Sequence, residues 1–333
     1  MKFLASLLLL ALIVAAAAAY LIYMPVGPAA GNPNSAVFVD IAPGTSATAI
    51  AAQLEGAGVI RSRYAFDLLR FVRRGRLVAG EYRFDHPAPA TEVYARLHRG
   101  DVYFITLTIP EGYNIFDIAQ AVASAGLGDH DGFLAAERSH TSLISDLSPN
   151  ASSLEGFLFP DTYKFTRHST PLQILTAMVH RFRKVSAQLN LAGSSSSVAD
   201  TVTLASLVEK EVAQPSERPL VAGVFLNRLA HGIPLATDPS VIYAALLEHR
   251  YRGTIYASDL HADSPYNTYR HTGLPPGPIC NPGIAALQAA IAPAHTDFLY
   301  FVADAQGHSR FSATLKEHAE QVQQYRRALR DVH

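Results

Sequence analysis

The sequence predicts an α+β chain: a single N-terminal transmembrane helix, short strands mixed with helices, then a mainly helical C-terminal domain. Three observations predict it. Phe3 to Met24 carries no charge; β-branched and aromatic runs mix with helical periods after Val37; and helical periods predominate from Val198 onward. With 333 residues, 49% of them hydrophobic and 17% charged, the chain can build two or three folded units.

The apolar run decides the compartment. About 22 residues at 1.5 Å rise span roughly 30 Å of hydrocarbon. Tyr20 and Tyr23 stand near its outer end, where amphipathic rings favour the membrane interface, and Pro25, Gly27 and Pro28 then stop the helix. A cleavable signal peptide is the rival, since Ala15 to Ala19 offers a small-residue cleavage site. The run exceeds the usual signal core of about 7–15 residues, which favours an uncleaved anchor. Lys2 is the only charge before the span and Asp40 the first beyond it. The positive-inside rule then leaves the N-terminus in the cytoplasm and the bulk outside.

Charge excludes a nucleic-acid partner. Twenty-seven basic residues face 28 acidic ones, a formal net charge of -1, and no block of five or six basic residues occurs. The densest cluster, Arg70, Arg73, Arg74 and Arg76, reads as a solvated helix face. Cys280 is the only cysteine, so no internal disulfide forms, and no Cys/His spacing suggests zinc. Asp129-His130-Asp131-Gly132 lacks the later ligands of a calcium loop and reads as a turn. Neither metal nor cofactor is expected. Trp is absent, so stacking on a sugar falls to Tyr and Phe.

Along the chain, residues 1–24 form the anchor and 25–36 a tether. A first α+β module covers 37–100, a second α+β segment 101–192, and the helical domain 198–333. The second segment partly repeats the first. Ile41-Ala42-Pro43-Gly44, Ile50 and Gly58 recur about 68 residues later as Ile109-Pro110-Glu111-Gly112, Ile118 and Gly126. Each copy reads as strand, turn, short helix and glycine C-cap. Tyr64 to Arg73 and Thr91 to His98 read as helices, Gly80 to Phe84 and Val102 to Ile109 as strands. Pro171 to Leu191 and Lys316 to Leu329 are helical by period, and Phe298 to Val302 is a late strand.

The helix predicted over Asp200 to Ala213 holds the most informative position, with Asp200 able to cap its start and Pro215 enforcing its stop. On a wheel of about 100° per residue, Leu204, Leu207 and Val208 fall within roughly 60° of Glu211, and Glu209 falls about 160° away. Glu211 therefore shares the apolar face while Glu209 points to solvent. Desolvation raises a carboxyl pKa, and a glutamic acid still protonated near neutral pH is what a general acid for glycosidic cleavage requires. A buried Glu211 paired with Arg218 or Arg228 is the competing reading. Asp238 sits where it would cap a further helix with Pro239 in the first position, which explains it without function. Pro265 to Tyr269 and Gly273 to Pro278 are stiff irregular segments suited to a sugar-binding cleft or to ordinary loops.

These segments together resemble the endolytic murein transglycosylase family, also called MltG or YceG-like. The resemblance rests on Leu204-Ala205-Ser206-Leu207-Val208-Glu209-Lys210-Glu211, Thr237-Asp238-Pro239-Ser240-Val241-Ile242-Tyr243, Tyr266-Asn267-Thr268-Tyr269 and Gly273-Leu274-Pro275-Pro276-Gly277. Leu154-Glu155-Gly156-Phe157-Leu158-Phe159-Pro160-Asp161-Thr162-Tyr163, Tyr300 to Asp304 and Phe311 to His318 extend it over nearly everything after the anchor. Ala236, Ser240 and Cys280 depart from the family pattern, none of them at the catalytic position. The resemblance implies a LysM-like module ahead of a catalytic domain with a lysozyme-like active-site helix, and it implies that Glu211 is catalytic. It also implies endolytic cleavage of nascent peptidoglycan strands beside penicillin-binding proteins of a cell-wall synthesis complex.

The expected chemistry is a lyase reaction. Glu211 protonates the oxygen linking N-acetylmuramic acid to N-acetylglucosamine, the 2-acetamido group stabilises the anomeric centre, and Glu211 then takes the C6 hydroxyl proton as a 1,6-anhydro ring closes. Thr237, Asp238, Tyr266, Asn267, Thr268, Tyr269 and Glu155 are the candidate substrate contacts, with Asp161 as a further option. Two alternatives stay open: a lysozyme-type hydrolysis with Asp238 or Glu217 activating water, and a non-catalytic glycan-binding scaffold.

Overall fold

The computed structural model describes residues 2–28, 36–212, 214–304 and 308–331. Most of the predicted tether (29–35) and Ala213 lie outside the described residues. The chain forms two compact units, Met1–Ile105 and Thr106–His333.

In the first unit α1 (Lys2–Tyr23) is long and apolar enough to cross a membrane, with a mean hydropathy of 2.6. Its last turn is not free: Ile22 is buried and Leu21 packs on the same core. Just past it, Val26 and Ala88 exchange both backbone hydrogen bonds, at 3.1 and 3.0 Å, so the start of the predicted tether is fixed. Strand β1 (Val37–Ile41) pairs antiparallel with β2 (Gly80–Phe84), Val39 opposite Tyr82. Helices α2 (Ala47–Gly56) and α3 (Arg63–Arg73) lie between these strands, and α4 (Ala90–Arg99) follows. Leu54, Phe66, Tyr82, Phe84, Val93 and Leu97 fill the core, all but closed to solvent.

The second unit holds residues expected to form two segments. The first of these has a short sheet, β3 (Ile105–Thr108) on β4 (Thr162–Phe165). Helix α6 (His130–Ser139) packs against both α5 (Ile115–Ser124) and α7 (Pro171–Gln188). Buried hydrogen bonds then tie the segment to the helical half: Asn281 Oδ1 accepts from the Leu158 N–H at 2.8 Å and its Nδ2 donates to Tyr113 O at 3.0 Å. At the centre stands α8 (Val198–Glu211), packed by α9 (Arg218–Ala230), α10 (Asp238–Leu247) and α12 (Ile284–Ile291). A one-turn α11 (Ala257–Leu260), the hairpin β5 (Tyr300–Ala303) with β6 (Ser309–Ser312), and α13 (Leu315–Asp331) complete it. Gly156 is required where 154–163 crosses α8: its φ is +85°, and a Cβ would strike Pro278 and Val202.

Both copies of the repeated pattern have one local geometry. Gly44 and Gly112 turn at φ +85° and +78°, and Gly58 and Gly126 close the helices at +71° and +72°. The glycines lie one residue beyond the caps, Ala57 and Ala125, so each is a left-handed C′ residue rather than the cap itself. Asp129 accepts from the Gly132 N–H at 2.7 Å and caps α6, so the segment read as a turn is a helix start.

Candidate active site

Helix α8 begins three residues earlier than Asp200 would place its cap. Ser197 is the N-cap: its Oγ accepts from the Asp200 N–H at 3.0 Å and donates to Asp200 Oδ2 at 2.7 Å. At the other end the backbone turns extended at Val212, leaving Glu211 as the final helical residue. Leu204, Leu207 and Val208 are buried beneath it, whereas Glu211 is only partly covered. Among the described residues its carboxyl group has no hydrogen-bond or ion-pair partner. Burial pushes it up to about 7, and the charge of Asp238 adds to the rise. The carbonyl end of α8 opposes an anion there as well.

The wheel misplaced Glu209. It does not face solvent: its side chain is 6% exposed, and Arg218 donates to it at 2.7 Å while the Gly283 N–H donates at 3.1 Å. A one-helix wheel treats the face away from the main core as wet, and here α9 and the Gly283 turn cover it. Arg218 is thereby engaged away from Glu211. Arg228 is engaged too, donating to Pro234 O at 3.0 Å and Leu299 O at 3.3 Å. The structure contains neither of the ion pairs that competed for Glu211.

Glu211 opens into a cleft of about 410 Å³ lined by Arg228, Leu235, Ala236, Thr237, Asp238, Tyr269, Tyr300 and His318, among others. Asp238 does not cap α10. Thr237 is the N-cap and no side-chain cap bond forms, while Asp238 Oδ1 accepts from the Tyr269 hydroxyl at 2.7 Å. A carboxylate one position inside the helix leaves the first-turn N–H groups and turns across the cleft mouth to the tyrosine. Burial and Asp238 push the Tyr269 phenol up, so it stays a donor. Tyr269 remains 40% exposed at the cleft.

The remaining sequence-predicted contacts fall elsewhere. Asn267 is 0% exposed, and its Nδ2 donates to Leu260 O and Ala262 O at 3.1 and 2.8 Å. Thr268 is buried and its Oγ1 accepts from the Thr237 N–H at 3.0 Å, so both residues brace the loops from behind. Thr237 lines the cleft but is itself 2% exposed. Tyr266 faces a separate cavity of about 420 Å³. Glu155 is 2% exposed, pushed up to about 8 by burial, and accepts from the Ile115 N–H and Asn281 Nδ2, both at 2.9 Å. Those bonds give it a role in joining segments. Asp161 is held low by Arg181, and Glu217 accepts from the Ser309 N–H at 3.0 Å and lies outside the cleft lining. Among the described residues no group of three or more His, Cys, Asp or Glu side chains is arranged to hold a metal ion.

The family model described as the YceG-like family matches residues 39–324. The chain belongs to the YceG-like family. A protein of Bacillus subtilis (strain 168) named endolytic murein transglycosylase is 33% identical over 316 residues, covering 90% of this chain and 87% of its own. A protein of Streptococcus pneumoniae with the same name is 30% identical, and the match spans 60% of its length. The crystal structure of a putative YceG-like protein from Listeria monocytogenes superposes with a TM-score of 0.59 at 32% identity, covering 86% of this chain and 98% of that one.

In this YceG-like chain the cleft also contains Tyr300 and His318, which the sequence did not single out as site residues, and Arg228, which it named only as a possible ion-pair partner of Glu211. Arg228 lies 5.6 Å from the Tyr300 ring centroid, and His318 stacks on the same Tyr300 ring with centroids 5.3 Å apart. Burial pushes the His318 imidazole down, and Arg228 adds to the effect. Their spacing in sequence, from α9 through β5 to α13, left no local signal to find them.

Proposed function

We propose that this chain is a peptidoglycan lytic transglycosylase that cuts glycan strands internally, with Glu211 as its single acid and base. One observation carries the reading: a half-buried, partnerless carboxyl group, about half protonated near neutral pH, opening into a cleft large enough for a sugar. The names of the relatives supply the substrate class.

In the proposed reaction Glu211 gives its proton to the oxygen between N-acetylmuramic acid and N-acetylglucosamine as the C1–O bond breaks. The muramoyl 2-acetamido oxygen holds the anomeric carbon. Glu211, now an anion, removes the C6 hydroxyl proton while O6 bonds to C1, which closes the 1,6-anhydro ring and restores the acid. Atoms balance without water, so one carboxyl group suffices where hydrolases divide the work between two. Burial, with the charge of Asp238 that Tyr269 fixes adding to it, keeps Glu211 partly protonated near neutral pH until a sugar oxygen arrives. Tyr269 offers the sugar a ring face. The β1–α2–α3–β2 order of the first unit agrees with a LysM-like glycan-binding module, and α8 with a lysozyme-like active-site helix. Helix α1 serves as a single-pass inner-membrane anchor with the rest in the periplasm, where the enzyme ends nascent strands beside penicillin-binding proteins.

Asp238 in the same cleft favours a second reading, a hydrolytic muramidase with Asp238 activating water. Digestion of purified glycan strands in ¹⁸O-water distinguishes the two by mass spectrometry. Transglycosylation yields anhydro ends free of ¹⁸O; hydrolysis yields reducing ends heavier by one labelled water. Binding without any cleavage would leave only the scaffold reading.

A further inference from the structure

Beside the arginine cluster of α3 lies an apolar stripe that the charges conceal in the sequence. Tyr64, Leu68, Phe71 and Val72 are 71%, 48%, 72% and 70% exposed. At ~100° per residue they share an arc of about 100°. Ala65, Phe66 and Leu69, on the other side of the helix, are buried in the core of the first unit. Four large apolar side chains on one open helix face mark a contact surface rather than a solvated one. Arginines stand at both ends of the stripe: Arg61 and Arg63 at its start, and Arg73, Arg74 and Arg76 at its finish. Among the described residues the side chains of the last three make no ion pair. Asp67 is the single acid on the helix.

The position of α1 identifies the occupant. The last turn of α1 packs against α3 and α4 within the first unit. The Arg61 guanidinium lies 5.4 Å from the Tyr20 ring centroid and donates to Pro25 O at 2.9 Å. Tyr20 and Tyr23 are the kind of residues that sit at a membrane–water boundary. A bilayer crossed by α1 therefore ends at the level of Arg61, immediately before Ser62 caps α3. We propose that α3 lies on an anionic lipid surface, its Tyr64–Leu68–Phe71–Val72 stripe entering the headgroup boundary and its terminal arginines pairing with lipid phosphates. This rests on the reading of α1 as a membrane span. It gives the first unit a second membrane contact and a preference for acidic lipid.

The chain has no tryptophan, so Phe71→Trp installs a single reporter at an exposed position. Full-length protein is reconstituted into phosphatidylcholine vesicles with or without phosphatidylglycerol, each prepared with brominated acyl chains. Tyr23→Trp, in a separate protein, reports α1 insertion alone. The proposal expects blue-shifted Phe71→Trp emission and quenching at least about two-fold stronger in the anionic vesicles. Combined Arg73→Gln, Arg74→Gln and Arg76→Gln should abolish that difference while leaving Tyr23→Trp quenched in both lipids. A quenched Tyr23→Trp with an unquenched Phe71→Trp overturns the α3 contact and leaves the anchor intact. No quenching at either position overturns the anchor itself. Equal quenching in neutral and anionic vesicles overturns the pairing with acidic lipid. Emission that ignores the brominated lipid and shifts with protein concentration means that a second copy covers α3 instead.

Discussion

Replacing Asp238 with asparagine removes one negative charge from the Glu211 cleft and keeps the shape of the side chain. The rise of Glu211 from its ordinary 4.5 to about 7 disfavours its anion by roughly 3 kcal/mol. Burial is the larger cause and Asp238 the second. A single charge across a half-wet cleft is worth on the order of 1 kcal/mol, so Asp238→Asn should lower Glu211 by about one pH unit. At pH 7 the protonated fraction then falls from about one half to about one tenth. Because the acid form starts the reaction, activity is lost as pH rises through the Glu211 value, and the variant should lose it about one unit sooner. The assay is kcat/KM for release of glycan fragments between pH 5 and 9, with circular dichroism to establish folding. An alkaline limb that stays in place while kcat falls equally at every pH would refute the reasoning and make Asp238 a direct participant instead.

Tyr269→Phe removes the hydroxyl that fixes Asp238, so the limb should move the same way by less, and the double variant should move it no further than Asp238→Asn alone. Glu211 holds its proton more tightly folded than unfolded, so its contribution to stability is full below about pH 4.5 and falls away as pH rises through about 7. Glu211→Gln cannot ionise, and its thermal midpoint should exceed that of the unaltered chain above pH 8, by roughly 2–3 kcal/mol of stability at most, with no gap at pH 4. Glu155→Ala strips partners from the buried Ile115 N–H and the Asn281 amide and should cost about 2–4 kcal/mol in urea unfolding. Arg218→Ala leaves Glu209 buried without its cation and should cost about 3–5 kcal/mol by the same measurement.

Periodicity made much of this structure legible. The apolar run of α1, the strand and turn signals of the two repeated patterns, and the half-buried position of Glu211 on α8 all follow from local sequence. Glu209 did not, because its cover comes from Arg218 and Gly283, which only the fold brings near. Asp238 carried a strong capping signal, yet Tyr269, 31 positions away, takes its carboxylate. In the Tyr266 to Tyr269 loop no period assigns faces, so Asn267 and Thr268 could not be told from Tyr269 by sequence. Only the accounting of buried loop hydrogen bonds separates them. On α3 the arginines drew the reading toward solvent, although the apolar stripe was present in the same eleven residues.

The most direct test is turnover by the full-length Glu211→Gln protein on purified glycan strands, counted as new 1,6-anhydro ends. The substitution preserves size and replaces the ionisable carboxyl group by an amide that can neither give nor take the proton at neutral pH. The account predicts no ends above background, with the circular dichroism spectrum and strand binding unchanged. Anhydro ends formed at an undiminished rate would contradict it, because the acid would then have to be some other group.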